Sequence, residues 1–212
     1  VDKLIQEAIQ VLKDNGAEVV ENLKFEKRDE WGNVEWQVLI SEFKAGLNSY
    51  LKTRTGLKVQ TLADLIAYNK NNVDTELKWF GQEIFETAEK TTGLEDPVYL
   101  EALKNSKKLT REEGIDKLMD EHQLDALIAP TNGPAWNIDW INGDHFVGGS
   151  SDVAAISGYP NITVPIGYVH GLPVGISFFG RAWSEPTLIK LAFAFEQATK
   201  HRKAPGFLKE IG

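Results

Sequence analysis

The stretch from Ser150 to Trp183, SSDVAAISGYPNITVPIGYVHGLPVGISFFGRAW, constrains the fold of this chain more than any other. Gly158-Tyr159-Pro160 predicts a turn, and Asn161-Ile162-Thr163-Val164 a short strand stopped by Pro165. Gly167 to Pro173 reads as a connection rich in Gly and Pro, and Val174 to Phe179 as a second apolar strand ended by Gly180. Two short, mostly apolar strands bounded by Pro and Gly are the pattern of a sheet buried on both faces. The stretch speaks for architecture; it holds no nucleophile, base and orienter in a convincing arrangement.

The segments around it are mostly helical. Leu4, Ile5, Ala8, Ile9 and Leu12 recur at helical spacing before Gly16, a natural C-cap, and Ala17 to Glu21 reads as a short strand. Residues 22–33 are polar, with a turn expected at Trp31-Gly32-Asn33. A helix is then expected from Val34 to about Leu51, with Trp36, Ile40, Phe43, Leu47 and Tyr50 inward. Thr61-Leu62-Ala63-Asp64 and Thr110-Arg111-Glu112-Glu113 both read as capping boxes, and Asp96-Pro97 as an N-cap with Pro at the first helical position. Thr75 is expected to open a helix with Phe80, Ile84, Phe85 and Ala88 inward. Asp125 to Ala129 is a strand candidate ended by Pro130, and Ser184-Glu185-Pro186 opens a closing helix.

Composition narrows the function classes. The chain has 212 residues, and no low-complexity linker divides it, so one domain over 1–212 is expected. A formal charge of −8 argues against nucleic acid or an anionic membrane as main partner, because both reward positive charge. No apolar run approaches the roughly 20 residues that span a bilayer. Without cysteine there are neither disulfides nor thiolate metal sites, which fits a reducing compartment such as the cytoplasm. The chain begins at Val1 and enters a helical pattern at once, so it reads as cut from a longer protein.

A family resemblance rests on several segments together. Ala154-Ala155-Ile156-Ser157-Gly158-Tyr159-Pro160-Asn161-Ile162-Thr163-Val164-Pro165-Ile166-Gly167 resembles the C-terminal signature of the amidase signature family. So does Gly171-Leu172-Pro173-Val174-Gly175-Ile176-Ser177-Phe178, followed by Gly180, Glu185, Leu188 and Phe195-Glu196-Gln197-Ala198. Asp125-Ala126-Leu127-Ile128-Ala129-Pro130-Thr131 and Gly16 to Val20 extend the likeness more weakly, and peptide-amidase-like members resemble the chain most. The resemblance implies an α/β fold with a mixed β-sheet flanked by helices, the C-terminal part of a carboxamide hydrolase. It also implies a Ser, a second bridging Ser and a neutral Lys as catalytic groups. No lysine here has the Gly/Thr/Ser flanks of the family's catalytic Lys, so the triad is expected upstream of Val1 and no catalytic residue within the chain.

Three candidate sites remain. Gly148-Gly149-Ser150-Ser151 resembles the family's nucleophile loop, but Asp152 follows at once and the Gly-Tyr-Pro turn is too near; the alternative is that Ser150 or Ser151 caps a helix over Asp152–Ser157. Asp139, Asp144 and His145 suggest ligands or an acid–base pair, yet no histidine spacing supports a metal, and the alternative is loop-forming Asp with a surface His. The long loop 131–149 begins at the C-terminal end of a strand, where α/β sheets tend to place ligand sites, and by resemblance it approaches the substrate channel. Thr131, Trp136, Asp139 and Trp140 are therefore the substrate-binding candidates, against the alternative of a loop pinned by buried aromatics.

The expected partners are a small-molecule or peptide amide, with no cofactor, metal, nucleic acid or membrane. Self-association through a truncated sheet is also expected. The competing function is a non-catalytic amidase-like protein that binds a ligand or regulates a partner. A self-sufficient hydrolase built on the loop Asp and His residues ranks below both.

Overall fold

The computed structural model describes residues 1–207. In chain order the elements are α1 (Asp2–Asp14), α2 (Arg28–Lys52), α3 (Leu62–Asn71), α4 (Val73–Glu76), α5 (Glu83–Glu89) and α6 (Pro97–Lys107). A π-helical segment, Lys108–Ile115, runs into α7 (Asp116–Glu121). Then come β1 (Leu127–Pro130), α8 (Asp152–Ser157), β2 (Asn161–Val169), β3 (Leu172–Phe179) and α9 (Glu185–Thr199). Where the missing linker predicts one domain, the contacts gather into two compact units, Arg28–Ser106 and the remainder.

The larger unit holds the sheet, in strand order β1-β3-β2, with both pairings antiparallel. This is the expected α/β class with a sheet flanked by helices. Side chains alternate across a strand, so Val174, Ile176 and Phe178 share one face of β3. That face is buried with Ile166 of β2, Ala8 of α1, and Leu188, Ala192 and Phe195 of α9. The rings of Phe178 and Phe195 lie 6.0 Å apart, centre to centre. The opposite face carries Gly175, Ser177 and Phe179. It is small and hydroxyl-bearing at one end, so the sheet is not uniformly apolar on both faces as the strand pattern suggests.

β2 runs past Pro165 instead of stopping there. Proline removes a ladder donor, which an edge strand tolerates, and a register shift between Pro165 and Gly167 accommodates it. The expected Gly/Pro-rich connection is instead mostly strand, turned by His170 and Gly171 alone, both at positive φ as a two-residue type I′ hairpin requires. α1 ends as expected at Gly16, whose φ is +89°. The N–H groups of Gly16 and Ala17 donate to the carbonyls of Lys13 and Leu12, a Schellman motif. Residues 17–21 form no strand, because no neighbouring strand among the described residues supplies a ladder.

The smaller unit is helical, with Ile40, Leu62 and Ala88 at its core beside Leu47, Ile66 and Phe85. α2 begins at Arg28, not at Val34: Trp31 is buried, and tertiary burial overrides the local turn signal of Gly32-Asn33. The capping box at Thr61 and Asp64 forms as expected, and the Asp96 carboxylate accepts the Val98 N–H at 2.8 Å at the head of α6. Phe80 and Ile84 are exposed, in contrast to their inward assignment; α4 and α5 are separate short helices, and only Ala88 of that stripe is buried.

Candidate functional site

β1 extends by one residue through Thr131, whose N–H donates to the Gly175 carbonyl at 2.8 Å. The Thr131 hydroxyl lies 2.6 Å from that of Thr163 on β2 and 2.9 Å from that of Ser177 on β3. Three hydroxyls bring three protons and the two contacts use two, so one O–H remains to be donated elsewhere. Gly175 makes this grouping possible: a Cβ there would stand 2.6 Å from the Thr163 hydroxyl and 3.0 Å from that of Thr131. Ser177 is buried, whereas Thr163 is exposed.

The loop that follows is closed at its base. Asn132 and Gly149 form a bridge, and the Ser150 N–H donates to the Thr131 carbonyl at 3.2 Å. Within it, the Asp139 carboxylate accepts the N–H groups of Ile141 and Asn142 and the Asn142 side-chain amide, each at 2.9 Å. These bonds, the Asn142 N–H first, hold the Asp139 carboxyl below its ordinary value. Asp139 thus organises its own turn. Trp136 donates from Nε1 to Asp144 at 3.1 Å and packs edge-on against Phe146. Trp140 is 56% exposed, as are much of its neighbours: Ile138 at 78% and Ile141 at 92%. Of the four substrate-binding candidates, Thr131 is tied to the sheet, Trp136 to Asp144 and Phe146, and Asp139 to the turn beside Trp140.

Asp144 is engaged by Trp136 and His145 is exposed. Among the described residues, no three His, Asp or Glu side chains gather as metal ligands do. α8 spans Asp152–Ser157, with Ser151 at its N-cap position but no hydrogen bond from the Ser151 side chain to the helix. Ser150 Oγ is buried without a hydrogen-bond partner among the described residues. Lys13, Lys44 and Lys108 sit within 4 Å of Glu21, Glu89 and Glu113, in ion pairs.

The amidase family profile matches residues 1–189. The chain belongs to the amidase family. It is 41% identical to a probable amidase of Arabidopsis thaliana, over 97% of this chain and 38% of that protein. Among solved structures it superposes with a TM-score of 0.88 on the native peptide amidase of Stenotrophomonas maltophilia, at 44% identity, covering 97% of this chain and 41% of the other. A peptide amidase bound to the competitive inhibitor chymostatin gives 0.91 at 46% identity, covering 97% and 42%. The chain therefore spans about two-fifths of the length of the amidases it matches. Among the described residues, no helix is long and apolar enough to cross a membrane.

Sequence reasoning within this amidase chain missed Thr163, Ser177 and Gly175, which become partners of Thr131 only through strand register. The available signal was the alternation Val174-Gly175-Ile176-Ser177, apolar on one side and small or polar on the other. It also missed the surroundings of Tyr159. The phenol of Tyr159 donates to Asp116 at 2.8 Å, and burial, then this bond, pushes its ionisation up.

Proposed function

We propose that this chain forms the C-terminal part of an amide hydrolase that cleaves carboxamide C–N bonds, peptide C-terminal amides among them. The observation that carries this reading is the 46% identity to a peptide amidase across 97% of the chain. In the intact enzyme a serine attacks the amide carbonyl and ammonia or an amine leaves from the tetrahedral adduct. The acyl-enzyme is then hydrolysed by water. A bridging Ser and a neutral Lys handle the protons, and all three groups lie upstream of this chain. The chain contributes sheet, helices and part of the substrate wall, with Thr131, Trp136, Asp139 and Trp140 on that wall. No cofactor takes part, and a reducing compartment such as the cytoplasm suits a chain without cysteine.

By itself the chain is inactive in this reading. A fluorophosphonate probe, read by intact mass and peptide mapping, is expected to leave its serines unmodified. A stoichiometric adduct on Ser150 or Ser151 would overturn the assignment and move the nucleophile into this chain. The wider reading is tested by joining the chain to the upstream part of its parent and assaying release of ammonia from a C-terminal peptide amide.

A further inference from the structure

Arg111 and Asp116 both engage Tyr159, one over its ring and the other at its hydroxyl. The Arg111 guanidinium lies 5.2 Å from the centre of the Tyr159 ring, and the Asp116 carboxylate accepts the Tyr159 hydroxyl at 2.8 Å. Arg111 Nε also donates to the carbonyl of Ser157, the last residue of α8, at 2.6 Å. In an α-helix, residues five apart point about 140° away from each other and could not meet on one ring. Here the chain kinks at Gly114, with φ −114° and ψ −106°, and the Asp116 N–H reaches back five residues to the Arg111 carbonyl. The departure from α-helical winding is what lets one segment grip Tyr159 twice. Arg181 closes the group, donating to the Asp116 carbonyl and pairing with Asp120.

What is gripped is the end of α8. Gly158 ends that helix in the left-handed conformation, φ +70°, and the N–H groups of Gly158 and Tyr159 return to the carbonyls of Ala155 and Ala154. α8 has six residues and stands between this grip and Ser150, whose N–H is bonded to the Thr131 carbonyl. A six-residue helix is too short to hold itself in place. Val153 and Ala154 bury its inner side, and its two ends are tied by Thr131 before it and by Arg111 and Asp116 after it.

We infer that Arg111 and Asp116 are positioning residues: they fix α8, and through α8 the Ser150 end of the loop 131–149. The inference rests on the functional reading only in taking that loop to border the amide substrate. Hydrogen exchange by mass spectrometry, on the protein that carries this chain, tests it with Arg111→Ala, Asp116→Ala and Asp116→Asn. The alanine variants remove a charge-assisted hydrogen bond, so exchange in residues 148–157 is expected to rise about tenfold while that of β3 stays unchanged. Asp116→Asn keeps an acceptor for the Tyr159 hydroxyl and is expected to restore most of the protection. Equal acceleration in α8 and β3, or none in either, overturns the positioning role. Tyr159→Phe, which keeps the ring and loses only the hydroxyl, replaces Asp116→Ala if that variant fails to fold, and Arg111→Gln replaces Arg111→Ala.

Kinetics on a peptide amide test the link to substrate. KM is expected to rise several-fold in the alanine variants with kcat little changed; a local loosening with unchanged KM overturns that link. If the parent protein hydrolyses no amide, the functional reading fails, while the exchange pattern still decides the positioning role.

Discussion

At the scale of single residues, the hydroxyl group of Thr131, Thr163 and Ser177 depends on a side chain that is missing. Gly175→Ala would drive a methyl against two of the three hydroxyls, one of them on Thr131, whose backbone is held by the ladder. A cost of about 1–3 kcal/mol is expected from such overpacking. Urea unfolding would measure it, and adding Thr163→Ala should recover part of the loss by removing the closer oxygen. Asp139 supports a second expectation. Its carboxyl is held below the ordinary value by the Asn142 and Ile141 bonds, so the turn is supported above about pH 4 and loses that support as pH falls through the lowered value. An NMR titration of the Asp139 carboxyl should show a midpoint below about 3.9; a midpoint at or above it would mean the turn bonds are not kept in solution. The place of Thr131 at the end of β1 was legible because it follows Pro130. Its partners were not, since a one-residue change of register would have sent Thr163 and Ser177 to the other face.

Elements whose ends are written locally could be read from the sequence. Gly16 and Gly158 each end a helix in a left-handed conformation, and the Thr61–Asp64 box sits where its spacing says. The same reasoning misled at Thr110, where a capping box is spelled but the helical segment has already begun at Lys108. Thr110 is buried inside the π-helical segment, which continues from α6 into α7. Nothing in a capping pattern distinguishes a new start from a kink, because the kink is decided by what packs around it. Gly114 gives the test. A Cβ there would lie 2.9 Å from the Leu109 carbonyl oxygen, a backbone atom that cannot turn aside. In an ordinary helix Gly→Ala stabilises by about 1 kcal/mol. Gly114→Ala is expected to destabilise by about 1–3 kcal/mol instead. Thermal or urea unfolding reads the sign, and a more stable variant would mean that the wide turn is not needed.

At the scale of the whole molecule, the two-unit division was hidden because its boundaries fall at the head of α2 and within the run from α6 into the π-helical segment, with no Gly, Pro or Ser linker to mark them. What the sequence did imply is apolar surface without cover. Ile138, Trp140, Ile141, Phe146 and Val147 are all exposed within one loop, more than the scattered apolar residues of an ordinary monomer surface. Such a cluster favours self-association, and the formal charge of −8 opposes it. The two effects separate with salt. Screening shortens charge repulsion to about 8 Å at physiological ionic strength, whereas burial of apolar area is not weakened. Sedimentation at micromolar concentration should therefore show a dimer or larger species whose population rises from low to moderate salt. Ile138→Glu with Ile141→Glu should return the chain to monomer at every salt concentration. Association that survives this double change would assign the contact to the outer edges of β1 and β2, where unpaired ladder groups offer the other route. A clean monomer of the unaltered chain would mean that neither surface is sufficient.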